Sequence, residues 1–343
     1  MNDSCQGNTS DDVDDQIDDQ IDALVDGAGL VDCSARTQIE VSGGDRASFL
    51  HNLSTNEIRK LAVGSGCEAF FCDARGHIQA HAYIFCREQS LVIDSVPGAA
   101  EVLLPHLDRY LIREDVQLAD RTAEWCQLLV AGERSAPLLS RVTGLDLATL
   151  ATPVAIAETR LADVDIQLRR HDFAGPESFS IVGRREDQPR LWSALLTAGA
   201  TPCGAAALDA VRIAAGSPLY GVDITSRNLP QEVARDARTI NFVKGCYLGQ
   251  ETVARIDALG HVNRLLCGLR FADADPPHSE LPVAGTPLTA DGQPAGEVTS
   301  TARSRRLGPI GLGYVRREHA APGSRLESTL GPVEVVPLPI VTG

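Results

Sequence analysis

After about residue 265 the texture of the chain changes, and this restricts its fold more than any other feature. Pro and Gly become dense, and short apolar runs at 266–271, 286–288, 296–298, 311–315 and 333–336 alternate with turns. Runs this short and this evenly punctuated predict a small all-β unit, a barrel or sandwich. Upstream the pattern is mixed. Alternating apolar positions predict strands at 37–41, 68–72, 78–85, 91–94, 128–130, 166–170 and 179–182. Helical spacing appears after Asp45 (Phe49, Leu50, Leu53), over 99–111, 136–142 and 188–198, and over 208–214, where Gly216 follows as a cap. Asp73-Ala74-Arg75-Gly76 is a hairpin turn signal. Strands and helices alternate irregularly with hairpins between them, which predicts α+β units rather than a doubly wound sheet. No GxGxxG or GxxxxGK[ST] occurs, so nucleotide-fold readings lose support.

A chain of 343 residues holds two or three domains. The expected division is an acidic tail at 1–27, one α+β unit at 28–122, a second at 123–262 with segments interleaved with the first, and a barrel at 263–343. Residues 1–27 carry nine aspartates and no basic residue, which leaves −6 of the net −15 for the body. Like charges at that density repel and bury no core, so the tail is expected to be disordered. It lacks the central Gly and terminal Glu of a calcium loop. An acidic body argues against direct binding of a nucleic-acid backbone. No apolar run approaches membrane-spanning length and no leader precedes the body, so a cytoplasmic protein is expected.

Nine cysteines, at 5, 33, 67, 72, 86, 126, 203, 246 and 267, include no CxxC pair. Reduced thiols are expected, with neither a disulfide framework nor a metal site. His77 and His81 fall in a strand-like run where joint metal ligation is awkward, so a structural role is expected for both.

One segment carries a candidate for chemistry. Lys244-Gly245-Cys246-Tyr247-Leu248-Gly249-Gln250-Glu251 places a thiol beside a lysine, between glycines, ahead of the helix-like run Thr252-Val253-Ala254-Arg255-Ile256. An adjacent ammonium and a helix start both favour thiolate. The chain has only two lysines, Lys60 and Lys244, so the lysine here is expected to do what arginine does not. The competing expectation is an isolated cysteine acting as a small buried hydrophobe.

Three motifs together resemble the YgfZ branch of the superfamily that contains the glycine-cleavage T-protein, a folate-dependent aminomethyltransferase. They are Gly216-Ser217-Pro218-Leu219-Tyr220-Gly221-Val222-Asp223-Ile224 with Asn228-Leu229-Pro230-Gln231-Glu232, then the Lys244 to Glu251 segment, then Gly296-Glu297-Val298-Thr299-Ser300 with Gly311-Leu312-Gly313-Tyr314-Val315. The resemblance covers about residues 28–330. It implies a ring of two ferredoxin-like α+β units and a C-terminal β-barrel around a central channel that binds tetrahydrofolate or a derivative. It implies Glu232 as the pterin anchor, since a carboxylate accepts two N–H donors side by side. Tyr220, Asp223, Gln250 and Arg255 are expected to line the pocket, with Cys246 as the reactive or cluster-ligating thiol and Lys244 as its electrostatic partner.

Members of that branch are associated with assembly or repair of iron–sulfur clusters in client enzymes, including tRNA-modifying ones. The resemblance therefore implies an accessory role with iron–sulfur client or assembly proteins as partners. One cysteine does not hold a cluster alone, so a client or glutathione would supply the other ligands. The alternative is a tetrahydrofolate-dependent one-carbon transferase. Against it, the catalytic aspartate of the T-protein has no counterpart in Asp94-Ser95-Val96-Pro97-Gly98-Ala99-Ala100-Glu101-Val102, where Asp94 and Glu101 are the nearby acids.

Overall fold

A computed structural model describes residues 10–272 and 280–340. The chain opens with helix α1 (Ser10–Val25), strands β1 (Gly29–Asp32) and β2 (Thr37–Ser42), and helix α2 (Arg46–Leu53). Strands β3 (Gly66–Cys72), β4 (Ile78–Cys86) and β5 (Ser90–Ser95) follow, then α3 (Ala100–Asp108), β6 (Gln117–Asp120), β7 (Trp125–Ala131) and α4 (Ser135–Thr143). Next come β8 (Ala155–Leu161), β9 (Val164–His171), β10 (Ser178–Arg184), α5 (Gln188–Thr197), β11 (Thr201–Pro202), α6 (Ala205–Ala214), α7 (Asp236–Thr239) and α8 (Gln250–Leu259). The last part is all strand: β12 (Arg264–Phe271), β13 (Pro287–Ala290), β14 (Gln293–Ser304), β15 (Gly308–Arg316), β16 (Arg325–Ser328) and β17 (Gly331–Val336).

These make the expected three bodies. A five-stranded sheet has the order β3-β4-β5-β2-β6, a six-stranded sheet the order β11-β1-β7-β10-β9-β8, and β12-β15-β14-β13-β16-β17 close into a barrel. The two α+β units exchange segments. β1 leaves the first unit and inserts between β11 and β7 of the second. The largest apolar cluster lies where the bodies meet and joins Phe70, Tyr83 and Phe85 with Leu129 and Phe173, and with Leu312 and Tyr314 of the barrel.

The acidic N-terminal segment is a helix rather than a disordered tail; residues 1–9 lie outside the described part. Ile17, Ile21 and Leu24 recur on one face of α1 and pack into that central cluster, with Ile21 and Leu24 buried. The aspartates of the other face meet a basic turn between β14 and β15. Arg305 pairs with Asp15, Asp18 and Asp19 at 3.8, 3.6 and 3.3 Å. Arg306 pairs with Asp22 at 2.6 Å and with Asp26. Charge density argued for repulsion; opposite charges about 280 residues away in sequence relieve it.

Candidate functional site

A cleft of about 710 Å³ opens where the two α+β units and α6 meet. The turn after β1 supplies Cys33 and Arg36, the segment after β5 supplies Val96 and Pro97, and the residue two past β9, Phe173, supplies an aromatic wall. Leu208 and Arg212 on α6 and the 219–222 loop, including Tyr220, close the far side. The lining is mainly apolar and the size suits a small organic ligand. Its carboxylates are Asp32, exposed, and Asp209, half-exposed and paired to Arg212 at 2.6 Å.

Arg36 is the cationic group of one wall. Its guanidinium lies 5.2 Å above the Phe173 ring, its Nε donates to Asp94 Oδ1 at 2.7 Å, and its Nη2 makes an ion-pair contact with the same oxygen at 2.7 Å. Asp94 is fully buried, and its other oxygen accepts from Gln127 Nε2 at 2.9 Å and from Arg169 Nη1 at 3.4 Å. Burial disfavours the carboxylate charge, but Arg36 and then Arg169 outweigh it and hold Asp94 below the usual carboxylate range. Arg169 is itself fully buried between Phe85 and Trp125, and burial lowers it to about 10.

The hydrogen bonds behind this wall run in one direction. Arg169 has donors only, so Gln38 presents its carbonyl oxygen to it at 2.6 Å and therefore its amide nitrogen to Gln127 Oε1 at 2.7 Å. Gln127 Nε2 then donates to Asp94 and, at 2.9 Å, to Ser180 Oγ. Ser180 Oγ in turn lies 2.7 Å from His171 Nε2, a hydrogen bond whose direction follows the imidazole tautomer. Nδ1 is buried with no partner. Burial drives His171 down to about 3, so the ring is neutral at ordinary pH.

A second polar centre joins β3 and β4 of the first unit to the 235–238 segment and to Asp172 of the second unit. Glu68 accepts from Arg235 through both oxygens, at 2.7 and 2.9 Å, and lies 2.7 Å from His81 Nε2. Arg238 bridges Glu68 and Asp172. His81 therefore serves an internal ion pair, and among the described residues no three His, Cys, Asp or Glu side chains gather as a metal site.

The residues expected to form one pocket are dispersed. Tyr220 lines the cleft. Asp223 is held by Arg212 and Leu219 N through one oxygen, at 2.6 and 2.9 Å, and by Thr299 and Ser300 through the other, both at 2.6 Å. Its lone pairs are committed to pinning α6 to the barrel, so it is a structural group rather than a pocket wall. Glu232 is buried away from the cleft, where it accepts from Asn228, the Leu229 backbone and Arg264 at 3.1, 3.3 and 3.2 Å. Tyr314, whose hydroxyl is buried without a partner, stacks under Arg264 at 4.8 Å. Gln250 begins α8 and Arg255 is exposed on it; neither lines the cleft.

Lys244 does not serve Cys246. Its ammonium turns inward and donates to the carbonyl oxygens of His51, Ser54 and Asn56 at 2.6, 2.7 and 2.6 Å, with the Tyr247 ring 4.9 Å away. Burial lowers it to about 8, so it is still charged at neutral pH. His51 lies in the last turn of α2 and Ser54 is its C-cap, so the lysine satisfies carbonyls that the helix leaves open. Cys246 points to solvent on the loop this clamp holds, several residues ahead of α8. Gly249 closes the loop with φ +82°, and a Cβ there would lie 2.6 Å from the Asp73 carbonyl oxygen, so only glycine lets the loop seat on the 73–76 turn.

Sequence reasoning did not find Arg36, Arg169, Phe173 or Arg212. Arg36 and Phe173 have no motif around them, while Arg169 and Arg212 fall in the strand and helix expected at 166–170 and 208–214 without being marked as site residues; strand pairing and α6 bring the four together.

Residues 6–242 match the GCVT N-terminal domain and residues 264–341 the glycine cleavage T-protein C-terminal barrel domain. An aminomethyltransferase of Streptomyces avermitilis is 31% identical over 91% of this chain and 86% of its own length. A putative chloroplastic transferase of Arabidopsis thaliana is 30% identical over 91% of this chain and 71% of its own. The crystal structure of the glycine cleavage system aminomethyltransferase T from Bartonella henselae superposes with a TM-score of 0.82 at 21% identity, over 94% of this chain and 89% of that one, and shares the fold. The chain belongs to the glycine-cleavage T-protein family.

Proposed function

We propose that this member of the T-protein family binds tetrahydrofolate or a derivative in the cleft and acts as a folate-dependent group transferase. The cleft itself carries the reading: it is mainly apolar, sized for such a ligand, and bounded by an aromatic ring with a guanidinium on each side, Arg36 and Arg212. Support comes from the relatives named aminomethyltransferase, which align over most of this chain. A pteridine is flat and weakly polar on its faces, which suits the Phe173 ring and the partly buried Tyr220. Bound folate would carry the one-carbon group. The chain's own residues would orient it, exclude water and manage protons.

Asp94 is a poor candidate for the proton work, since two arginines lock it as a carboxylate. Glu101 is exposed on α3, outside the cleft. Asp209 and Asp32 are the acids in reach of a bound ligand.

A second reading follows from one observation. Among the eight described cysteines, Cys246 alone is exposed. This favours the accessory role, in which the thiol meets an iron–sulfur client or assembly protein while folate binds elsewhere on the same molecule. The free thiols suit a reducing compartment such as the cytoplasm.

Calorimetry with tetrahydrofolate on wild type, Phe173→Ala and Glu232→Ala tests the first reading. Saturable binding lost in Phe173→Ala places the ligand in the cleft, and turnover of a methylene donor by the pure protein establishes the transferase. No binding by wild type rejects the folate reading. Binding without turnover, with rescue of a deletion strain by wild type but not by Cys246→Ala, selects the accessory role.

A further inference from the structure

Three charged groups meet behind the cleft wall, two guanidiniums and one carboxylate. Arg36 and Arg169 divide Asp94 between them, Arg36 taking Oδ1 and Arg169 taking Oδ2. The cluster therefore holds one uncompensated positive charge. His171 beside it is neutral and does not alter the balance, and the nearest other acid on the cleft, Asp32, is turned to Ser34 N and Gln188. A buried net charge is costly unless something pairs with it. Arg36 is the member that reaches the cleft, with its side chain 11% exposed, and its Nη1 has no hydrogen-bond partner among the described residues.

We infer that Arg36 is a carboxylate-recognition residue of this cleft, that its partner is a carboxylate of the bound ligand, and that Arg169 acts through Asp94 to keep the site cationic. Without Arg169, Asp94 would neutralise Arg36 and nothing would draw an anion there. With it, the open edge of Arg36 presents charge-assisted donors above an aromatic floor, a setting in which a planar carboxylate is bound strongly. The inference deepens the folate reading and rests on it for the identity of the cleft's occupant. Two sources offer the same chemistry: the glutamate tail of a folate, or a small carboxylic-acid substrate sitting beside the pteridine.

Calorimetry on the full chain with Arg36→Gln separates them. The variant leaves Asp94 paired to Arg169 and Gln127, so the fold is kept, and matching circular dichroism and melting verify this. Three probes are used: tetrahydrofolate, 6-methyltetrahydropterin, which lacks the acidic tail, and N-methylglycine with the pterin at saturation. A loss of about tenfold or more in tetrahydrofolate affinity, with pterin affinity unchanged, assigns the tail to Arg36. Unchanged tetrahydrofolate and pterin affinities with loss of N-methylglycine binding assign the small acid. Equal effects on tetrahydrofolate and pterin, or no effect on any probe, overturn the inference while leaving folate binding intact. Failure of wild type to bind either pteridine overturns the folate reading; N-methylglycine alone, with and without Arg36, then decides the carboxylate site. Arg169→Met, which touches no ligand, should weaken the same carboxylate contact and spare the pterin, and Arg36→Lys should restore part of it.

Discussion

Replacing Lys244 with methionine separates a clamp from a catalytic accessory. The side chain keeps its volume, and three carbonyl oxygens, of His51, Ser54 and Asn56, lose their ammonium donor. A buried acceptor left without its partner costs about 1–3 kcal/mol. Relief of the ammonium's own desolvation works the other way, so the low end applies, about 1 kcal/mol for each of the three and about 3 kcal/mol together. For a chain of this size that lowers the melting midpoint by roughly 4 °C. Lys244→Arg should also destabilise, because a planar fork does not converge on three carbonyls as a tetrahedral ammonium does. The assays are thermal unfolding and the pH dependence of Cys246 alkylation, read below the melting range. A midpoint within about 1 °C of wild type refutes the clamp. A clear rise in the alkylation pKa of Cys246 in the variant refutes the separation of the two side chains and restores their pairing.

Three further outcomes follow from the geometry. Asp223→Ala removes one half of a buried pair and leaves Arg212 with only the half-exposed Asp209, and should cost about 3 kcal/mol in denaturant unfolding; Asp223→Asn should cost less. Glu68 is held well below its ordinary value of 4.5 because Arg235 and His81 together outweigh its burial. The folded carboxylate therefore stays charged to lower pH than the unfolded one, so its contribution is full above pH 4.5 and is lost on acidification below it, and Glu68→Gln should flatten the profile of melting temperature from pH 5 to 3. Leu24→Ala on α1 should cost about 2–4 kcal/mol, measured by denaturant unfolding, as a core truncation does, whereas a free tail would show no change.

Much of the fold was legible because it depends on local pattern. The 73–76 turn, the β3–β4 hairpin and the barrel texture after about residue 265 need only alternation and turn residues. α1 was misread for the opposite reason. Its aspartates look self-repelling until Arg305 and Arg306 are placed beside them, and no local window contains both. The structure does not bring Lys244 and Cys246 together, because residues two apart on an irregular loop point in unrelated directions, one into the protein and one out. The cleft was the least legible feature. Arg36, Arg169 and Phe173 come from separate strands and turns, and none has a sequence period that marks it. Tyr220 was found because a motif surrounded it.

The pairing of α1 with the turn between β14 and β15 also orders events at the ribosome. The helix is made well before its partner, since Arg306 lies 284 residues beyond the Asp22 it meets. At usual rates of synthesis that is a wait of roughly 15–60 s. Its apolar partner α6 arrives earlier but still follows every strand of both sheets. During the wait the segment is a strongly charged strip with few apolar side chains, which keeps it in water and away from other nascent chains. A late turn of the barrel is then what fastens α1, so the docked helix marks a chain translated into its barrel.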